Sequence, residues 1–419
     1  MNAVVKQTSC VIVGGGPAGV ILSFILARQG IPVTLLEAHH DFDRDYRGDT
    51  LHPSILEIMD ELGLADRLLQ LPHTKLHKLT TLTPDGPLEM GDFSHLKTKY
   101  PYIALMPQVQ FLEFVIHEAK CFPSFRLVMG ARVSELVEHN GTVAGVRYHG
   151  AGCLREIGAP LTVGSDGRYS IMRKLGGFQA IKAATPLDLL WFRLPRQPAD
   201  LHGLMGRFGN GHVLIQLDRG EEWQCGYSIP KGSFPRLRTT GIEALRQDII
   251  STAPEFADRV AVLQDWTQIS LLSVEADYLR YWYKPGLLLI GDAAHVMSPV
   301  GGNGINYAIQ DAVAAANILS SPLIEMNVAV DDLAKVQRRR ERAVKTMQMA
   351  INVLHRMLPI ALATNKRIYE PDPRRSSFGK SVSTGMMVLA RPFVNAIFLP
   401  VIAFGISPVH VEENLRRMT

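Results

Sequence analysis

Short, mostly apolar runs recur at residues 9–13, 161–164 and 287–290, and each ends at a glycine-containing turn. Runs of this length without alternation predict fully buried strands. Helical periodicity follows the first run over residues 20–29, Gly30 closes it as a C-cap, and 32–37 is a second strand. After 287–290, an alanine-rich stretch at 305–319 predicts a helix suited to close packing under a sheet. Helical spacing also marks 53–62 (with Pro53 in the first turn), 108–120, 168–175 and 242–250.

Alternating patterns fill the intervals. They predict a hairpin within 75–90 around Pro84-Asp85-Gly86, and strands at 125–129, 133–138 and 143–148, the last two joined across Asn140-Gly141. This meander reads as an excursion from a parallel sheet. A second block at 212–218 and 222–229 places Trp223, Cys225, Tyr227 and Ile229 on one strand face. Such a face is either the wall of a pocket, with Trp223 and Tyr227 as candidates, or ordinary core. Further on, Leu333, Val336, Val344, Met347 and Ile351 trace a helical stripe whose wet face would be the arginine-rich cluster at 338–342.

Composition narrows the class. With 419 residues, 47% hydrophobic and 20% charged, the chain is ordinary globular protein large enough for two intertwined domains. The net charge of +4 is too small to argue for a nucleic-acid partner. Four cysteines lack CxxC spacing, so no metal site or disulfide framework is expected, and a reducing cytoplasm fits. Residues 385–406 are unusually apolar but broken by Arg391, Pro392, Asn395 and Pro400. A spanning helix needs roughly 20 uninterrupted residues, so no stable membrane insertion is expected. A helix docked on the protein's own core or on a second subunit, as in a homodimer, suits this tail better.

Three turns carry the candidate chemistry. In the first, Gly14-Gly15-Gly16-Pro17-Ala18-Gly19 lies between a strand and a helix, and Glu37 ends the next strand. This is a dinucleotide fingerprint: Gly14 makes the turn, Gly16 lets a pyrophosphate approach, Gly19 lets helix and strand pack, and Glu37 suits a ribose hydroxyl. By itself it does not distinguish NAD from FAD. In the second, Asp166 follows the strand 161–164 and precedes Gly167. In the third, Gly291-Asp292 leads into a loop with Pro299, Gly301, Gly302, Asn303 and Gly304, then the alanine-rich helix. A carboxylate at a strand end and bare backbone amides at a helix N-terminus form a cofactor cradle. Together the turns describe a long bipartite ligand gripped at several points. Arg47 would pair with a pyrophosphate or stand solvated on the surface, and His52 carries the same ambiguity. Gln108 starts its helix.

In order and spacing, VIVGGGPAGV at 11–20 with Glu37, VGSDGRYSIMRK at 163–174 and GDAAHVMSPVGGNGIN at 291–306 resemble the class A flavoprotein monooxygenases, related to para-hydroxybenzoate hydroxylase. The resemblance covers nearly all the chain up to about residue 319. It implies an α/β fold: a Rossmann-like FAD-binding domain in two parts (1–180 and 284–325), an inserted mixed β-sheet substrate domain (181–283) and a helical C-terminal region (326–419). It implies FAD as the held dinucleotide and NAD(P)H as a transient co-substrate. Gly14, Gly16 and Gly19, within the run that includes Pro17 and Ala18, would meet the pyrophosphate, and Glu37 the adenosine ribose. Gly291 and Asp292 would meet the pyrophosphate-ribityl region, and the loop from Pro299 through Gly302, Asn303 and Gly304 to Asn306 the isoalloxazine. Arg47 and Gln108 match positions that touch the flavin nucleotide, and Asp166 one implicated in both FAD and NAD(P)H binding. The implied reaction is hydroxylation of a small aromatic, phenolic or related, substrate by O2 through a flavin C4a-hydroperoxide. No side chain is assigned as catalytic base, since the phenol-activating group varies across the family. A flavin-dependent reductase of an isoprenoid or other apolar substrate is the alternative, motivated by the apolar tail.

Overall fold

The structure is a computed structural model describing residues 6–43, 49–83, 86–369 and 388–416. Its centre is a six-stranded sheet in the order Tyr283–Lys284, Leu287–Leu289, Leu161–Gly164, Cys10–Val13, Val33–Leu36 and Phe125–Val128, parallel except at the Tyr283–Lys284 edge. The three apolar runs are therefore adjacent strands. Every residue of Cys10–Val13, Leu161–Gly164 and Leu287–Leu289 is buried, as runs without alternation require. Helices Pro17–Arg28 and Gly304–Ile324 pack against each other. Gly304–Ile324 runs five residues past the stretch expected from the sequence, with Pro322 inside its last turn.

A second sheet of seven strands runs Ser270–Leu272, Leu187–Pro195, Glu222–Pro230, His212–Asp218, Leu204–Gly209, Lys78–Thr83 and Gly86–Asp92. Its last two strands are the early hairpin, which joins this sheet through a parallel pairing with Leu204–Gly209. The sequence signal of the hairpin was local and held nothing about this distant partner. Of the strands expected in the excursion, Phe125–Val128 instead pairs in parallel with Val33–Leu36 in the central sheet, while 132–158 forms a separate sheet with Lys6–Gln7 that includes a strand, Cys153–Gly158, missed by the pattern reading.

The seven-stranded sheet has two buried faces. One packs on helix Ile242–Thr252, and Trp223, Cys225 and Tyr227 lie in that core, at most 1% exposed. These side chains belong to the domain's own interior, so the ordinary-core reading of that strand face holds and the pocket reading does not. The opposite face carries Trp191, Ile215 and Leu217, packed with Leu399, Ile402 and Ala403 of the C-terminal segment. The tail thus docks on the protein's own core. No helix among the described residues is long and apolar enough to cross a membrane.

Helix Val330–Tyr369 packs against Gly304–Ile324. Within the arginine cluster, Arg338 pairs with Asp331 at the surface (3.0 Å), as a wet face would. Arg340 does not: it is fully buried and its Nε donates to Asp311 at 2.8 Å. A run of like charges hid one member that turns inward.

Candidate functional site

The three turns meet at the carboxyl ends of the parallel strands, where open α/β sheets bind ligands. A Cβ on Gly14 would lie 2.6 Å from Ser165 O and from the Asp166 Cα, so the first and second turns touch. A Cβ on Gly291 would lie 3.5 Å from that of Ala18, which brings in the third. On Gly19 a Cβ would come within 2.1 Å of Gly14 O, a contact no side chain tolerates. Gly16 differs, since its nearest neighbour would be Ser165 O at 3.9 Å. Of the three fingerprint glycines it is the one whose missing side chain leaves room for something outside the protein. Pro17 sits in the first turn of helix Pro17–Arg28, directly beyond it.

Glu37 is buried and its carboxylate accepts from Gly15 N at 2.8 Å and from His39 N at 2.9 Å. It thereby ties the end of the second strand to the glycine loop. Asp166 accepts from Met172 N (3.0 Å) and from Ser170 Oγ, and burial raises its pKa. Ser170 Oγ accepts in turn from Arg173 N, so the short helix begins at Ile171 rather than at residue 168. Gln108 opens helix Gln108–Ala119, and its N–H donates to Asp49 at 3.2 Å. Asp49 also pairs with Arg219, which joins this corner to the second sheet. Arg47 lies outside the described residues.

The Gly291-Asp292 turn is held from behind by Arg173. Its guanidinium donates to Asp292 O and Ala293 O, each at 2.9 Å, and forks onto Asp277 at 2.9 and 3.1 Å. The Asp292 side chain is partly exposed at the mouth of the turn. Past Pro299, Gly301 and Gly302 take positive φ (80° and 66°), and helix Gly304–Ile324 starts at Gly304. A Cβ on Gly302 would stand 2.8 Å from Thr50 Oγ1 and 3.4 Å from His52 Nε2, so this loop presses against residues 50–52.

Two asparagines of this loop are buried with unpaired polar atoms. Asn303 is 2% exposed and its Oδ1 has no partner among the described residues; Asn306 is fully buried and its Nδ2 has none. Buried polar groups in folded proteins are nearly always satisfied. One orphan is an acceptor (Asn303 Oδ1) and the other a donor (Asn306 Nδ2), so the pair fits a ligand edge that offers both an N–H and an acceptor, as the pyrimidine side of an isoalloxazine does. His52 is fully buried, and its Nδ1 stands 2.7 Å from Ile402 O. A carbonyl only accepts, so Nδ1 carries the proton. Burial lowers the His52 pKa to about 4, so the ring is neutral.

Sequence reasoning missed the supports of this loop: Ser54, Asp311, His295, Arg340 and the tail residues Ile402 and Phe404. Ser54 Oγ donates to Asn306 Oδ1 at 2.7 Å and Gln310 Nε2 to the same oxygen at 2.9 Å. Asp311 accepts from Gly291 N, His295 Nε2 and Arg340 Nε at 3.0, 2.6 and 2.8 Å. Burial alone would raise the Asp311 pKa, but its pairing with His295 and with the Arg340 guanidinium outweighs it and the carboxyl is held below its usual range. Among the described residues no group of histidine, cysteine and carboxylate side chains could hold a metal ion.

A profile of the family described as FAD binding domain matches residues 7–350. The chain is 34% identical over 349 residues to 6-methylpretetramide 4-monooxygenase of Streptomyces rimosus, covering 82% of this chain and 83% of that protein. It is 26% identical over 313 residues to the uncharacterized aromatic compound monooxygenase YhjG of Bacillus subtilis, covering 72% of this chain and 59% of that one. Among solved structures, p-nitrophenol 4-monooxygenase PnpA from Pseudomonas putida superposes with a TM-score of 0.74 at 18% identity, covering 95% of this chain and 96% of that one.

Proposed function

The chain belongs to the FAD-binding-domain family of class A flavin-dependent monooxygenases, and from that premise we propose that it hydroxylates an electron-rich aromatic ring, phenolic or related, with NAD(P)H and O2 as co-substrates. The observation that carries the reading is the pair of orphaned amide atoms, Asn303 Oδ1 and Asn306 Nδ2, buried beside Gly302 and Gly304. A reductase acting on an apolar chain has no comparable support, since the apolar tail that motivated it is used in packing.

In this reading Gly14, Gly16, Pro17, Ala18 and Gly19 hold the pyrophosphate, Glu37 the adenosine ribose and Asp292, beside Gly291, the ribityl region. Arg47, Gln108 and Asp166 complete the nucleotide end. Pro299, Gly302, Asn303, Gly304 and Asn306 hold the ring. The chemistry that bound FAD supplies is hydride acceptance from NAD(P)H and activation of O2, one oxygen atom entering the substrate and the other leaving as water. The chain's own part is positional and electrostatic. N–H groups at the start of helix Gly304–Ile324 would stabilise negative charge on a flavin ring held against that helix end. Ile402, which packs with Trp191 and Ile215 in one apolar cluster and would stand 3.8 Å from a Cβ on Gly301, would help keep water away from that loop.

The test uses purified protein under air. Aromatic candidates are screened for stimulated NAD(P)H oxidation, with oxygen incorporation into product and hydrogen peroxide release both measured. Stimulated consumption with labelled product is the expected result. Protein that stays colourless after reconstitution with FAD overturns the reading. In parallel, Asp292→Ala is expected to lose retained flavin far more than an exposed control such as Asp331→Ala.

A further inference from the structure

Arg340 is fully buried on helix Val330–Tyr369 and none of the three motifs contains it. Its guanidinium lies 5.3 Å from the Tyr307 ring centroid, with Nε on Asp311 and Nη1 on Gln310 Oε1 at 3.1 Å. Gln310 Nε2 then donates to Asn306 Oδ1 at 2.9 Å and to Phe404 O at 3.1 Å.

The order of donors and acceptors in this chain is forced. A guanidinium only donates, so the Gln310 atom facing Arg340 is the oxygen. A backbone carbonyl only accepts, so the atom facing Phe404 O is the nitrogen. Both ends of the Gln310 amide are thus fixed independently, which removes the usual uncertainty of an amide flip. The consequence passes to Asn306. Its oxygen receives Gln310 Nε2 and Ser54 Oγ, so its NH2 is the group turned away, buried and without a partner among the described residues.

We propose that Gln310, oriented by Arg340, is a positioning residue that fixes the polarity of the Asn306 amide and so presents an N–H donor, not an acceptor, to the bound ring. This rests on the FAD reading above. The signal is also coupled to the C-terminal segment, because Phe404 O shares the Gln310 donor and Ile406 N donates to Tyr307 OH at 3.1 Å.

The experiment titrates apoprotein with FAD by fluorescence and records the bound-flavin absorbance spectrum and the apoprotein Tm. Three single variants are compared: Gln310→Met, Gln310→Glu and Asn306→Ser. Gln310→Met removes the relay without changing size; the Kd is expected to rise about tenfold, the equivalent of one hydrogen bond, with a shifted flavin spectrum. Gln310→Glu keeps an acceptor for Arg340 but cannot donate to Asn306. It also sets a carboxylate oxygen against Phe404 O, so the apoprotein Tm is expected to fall; at a temperature where the apoprotein is still folded, FAD binding is expected to be weaker than in Gln310→Met and the flavin spectrum shifted, because the Asn306 amide then turns its oxygen outward, an effect a purely structural role would not produce. The double variant Gln310→Met with Asn306→Ser is expected to bind no worse than the weaker single, since both act through one amide. Wild-type Kd in Gln310→Met, or multiplicative losses in the double variant, overturns the proposal alone. A wild-type protein that binds no FAD overturns it together with the reading on which it rests.

Discussion

The two glycine-rich loops look alike in sequence and are built on opposite principles. In the loop at 14–19 the glycines chiefly let protein meet protein: an added Cβ would strike backbone at Gly14 and Gly19, and only Gly16 has clearance. In the loop at 299–306 the backbone is turned by positive φ at Gly301 and Gly302, and Gly304 has no atom within 4 Å of an added Cβ. Two buried asparagines there keep atoms that have no partner among the described residues. The first loop is a packing joint with a narrow opening. The second, stiffened from behind by side chains, is in the proposed reading the surface that meets a partner outside the chain. Glycine spacing alone does not tell these apart; what fills the missing side chain's place does.

The largest effect that can break this comparison is at Gly19. Gly19→Ala places a methyl 2.1 Å from Gly14 O and 2.5 Å from Ser165 Oγ. Neither the strand end nor the helix start can retreat without opening the central sheet. Overpacking of a tight core costs about 1–3 kcal/mol, and a backbone clash belongs at or beyond the upper end. The expected outcome is a large drop in the urea midpoint of the apoprotein, before any cofactor is considered. A midpoint equal to wild type would show that the joint is not load-carrying and that the two loops are alike after all.

The second loop sharpens the contrast through His52, which stands between Gly302 and the tail. Its pKa falls from 6.5 to about 4 on burial. For a base with a lowered folded pKa, the unfolded chain binds the extra proton between these values. Stability is therefore full above about pH 6.5 and falls as pH drops toward 4, by up to about 3 kcal/mol for a shift of this size. His52→Asn retains an N–H donor for Ile402 O but does not titrate. Its unfolding free energy is expected to vary less than that of wild type between pH 6.5 and 4.5, measured by urea denaturation. Parallel pH curves for the two proteins would remove His52 from this account.

How much of this could be read from the chain follows from what each feature depends on. The three buried strands, the glycine turns and the helices after them are local patterns, and residues 9–37 and 287–319 declare them. The positions of Gly14, Asp166 and Gly291 against one another follow from the parallel sheet those patterns build. Two kinds of feature were not legible. One is partnership across distance: the hairpin at 78–92 joins a sheet formed by residues more than 100 positions later, and Phe404 reaches back to Gln310. The other is the direction of a single side chain within a uniform run. Arg338 and Arg340 belong to one basic cluster, yet one pairs at the surface and the other lies buried on Asp311. Strand Glu222–Pro230 gave its alternation correctly, but which face met a helix and which met the tail depended on elements far away.

The smallest expected effect on stability is the most discriminating between the loops. Gly304 begins helix Gly304–Ile324 without positive φ, and a Cβ there meets nothing within 4 Å. On packing grounds alone Gly304→Ala is neutral, or slightly stabilising because alanine loses less backbone entropy at a helical position. The apoprotein Tm is therefore expected to be unchanged or a little higher. If the open space belongs to a ligand, the added methyl intrudes on it, and FAD affinity is expected to fall several-fold in the same variant. Stability and binding then move in opposite directions, which Gly19→Ala cannot show, since there both collapse together. The measurement is Tm of the apoprotein beside the FAD titration of the same preparation. Unchanged affinity with unchanged Tm would mean that the clearance at Gly304 is ordinary surface, and the distinction drawn between the two loops would then rest on Asn303 and Asn306 alone.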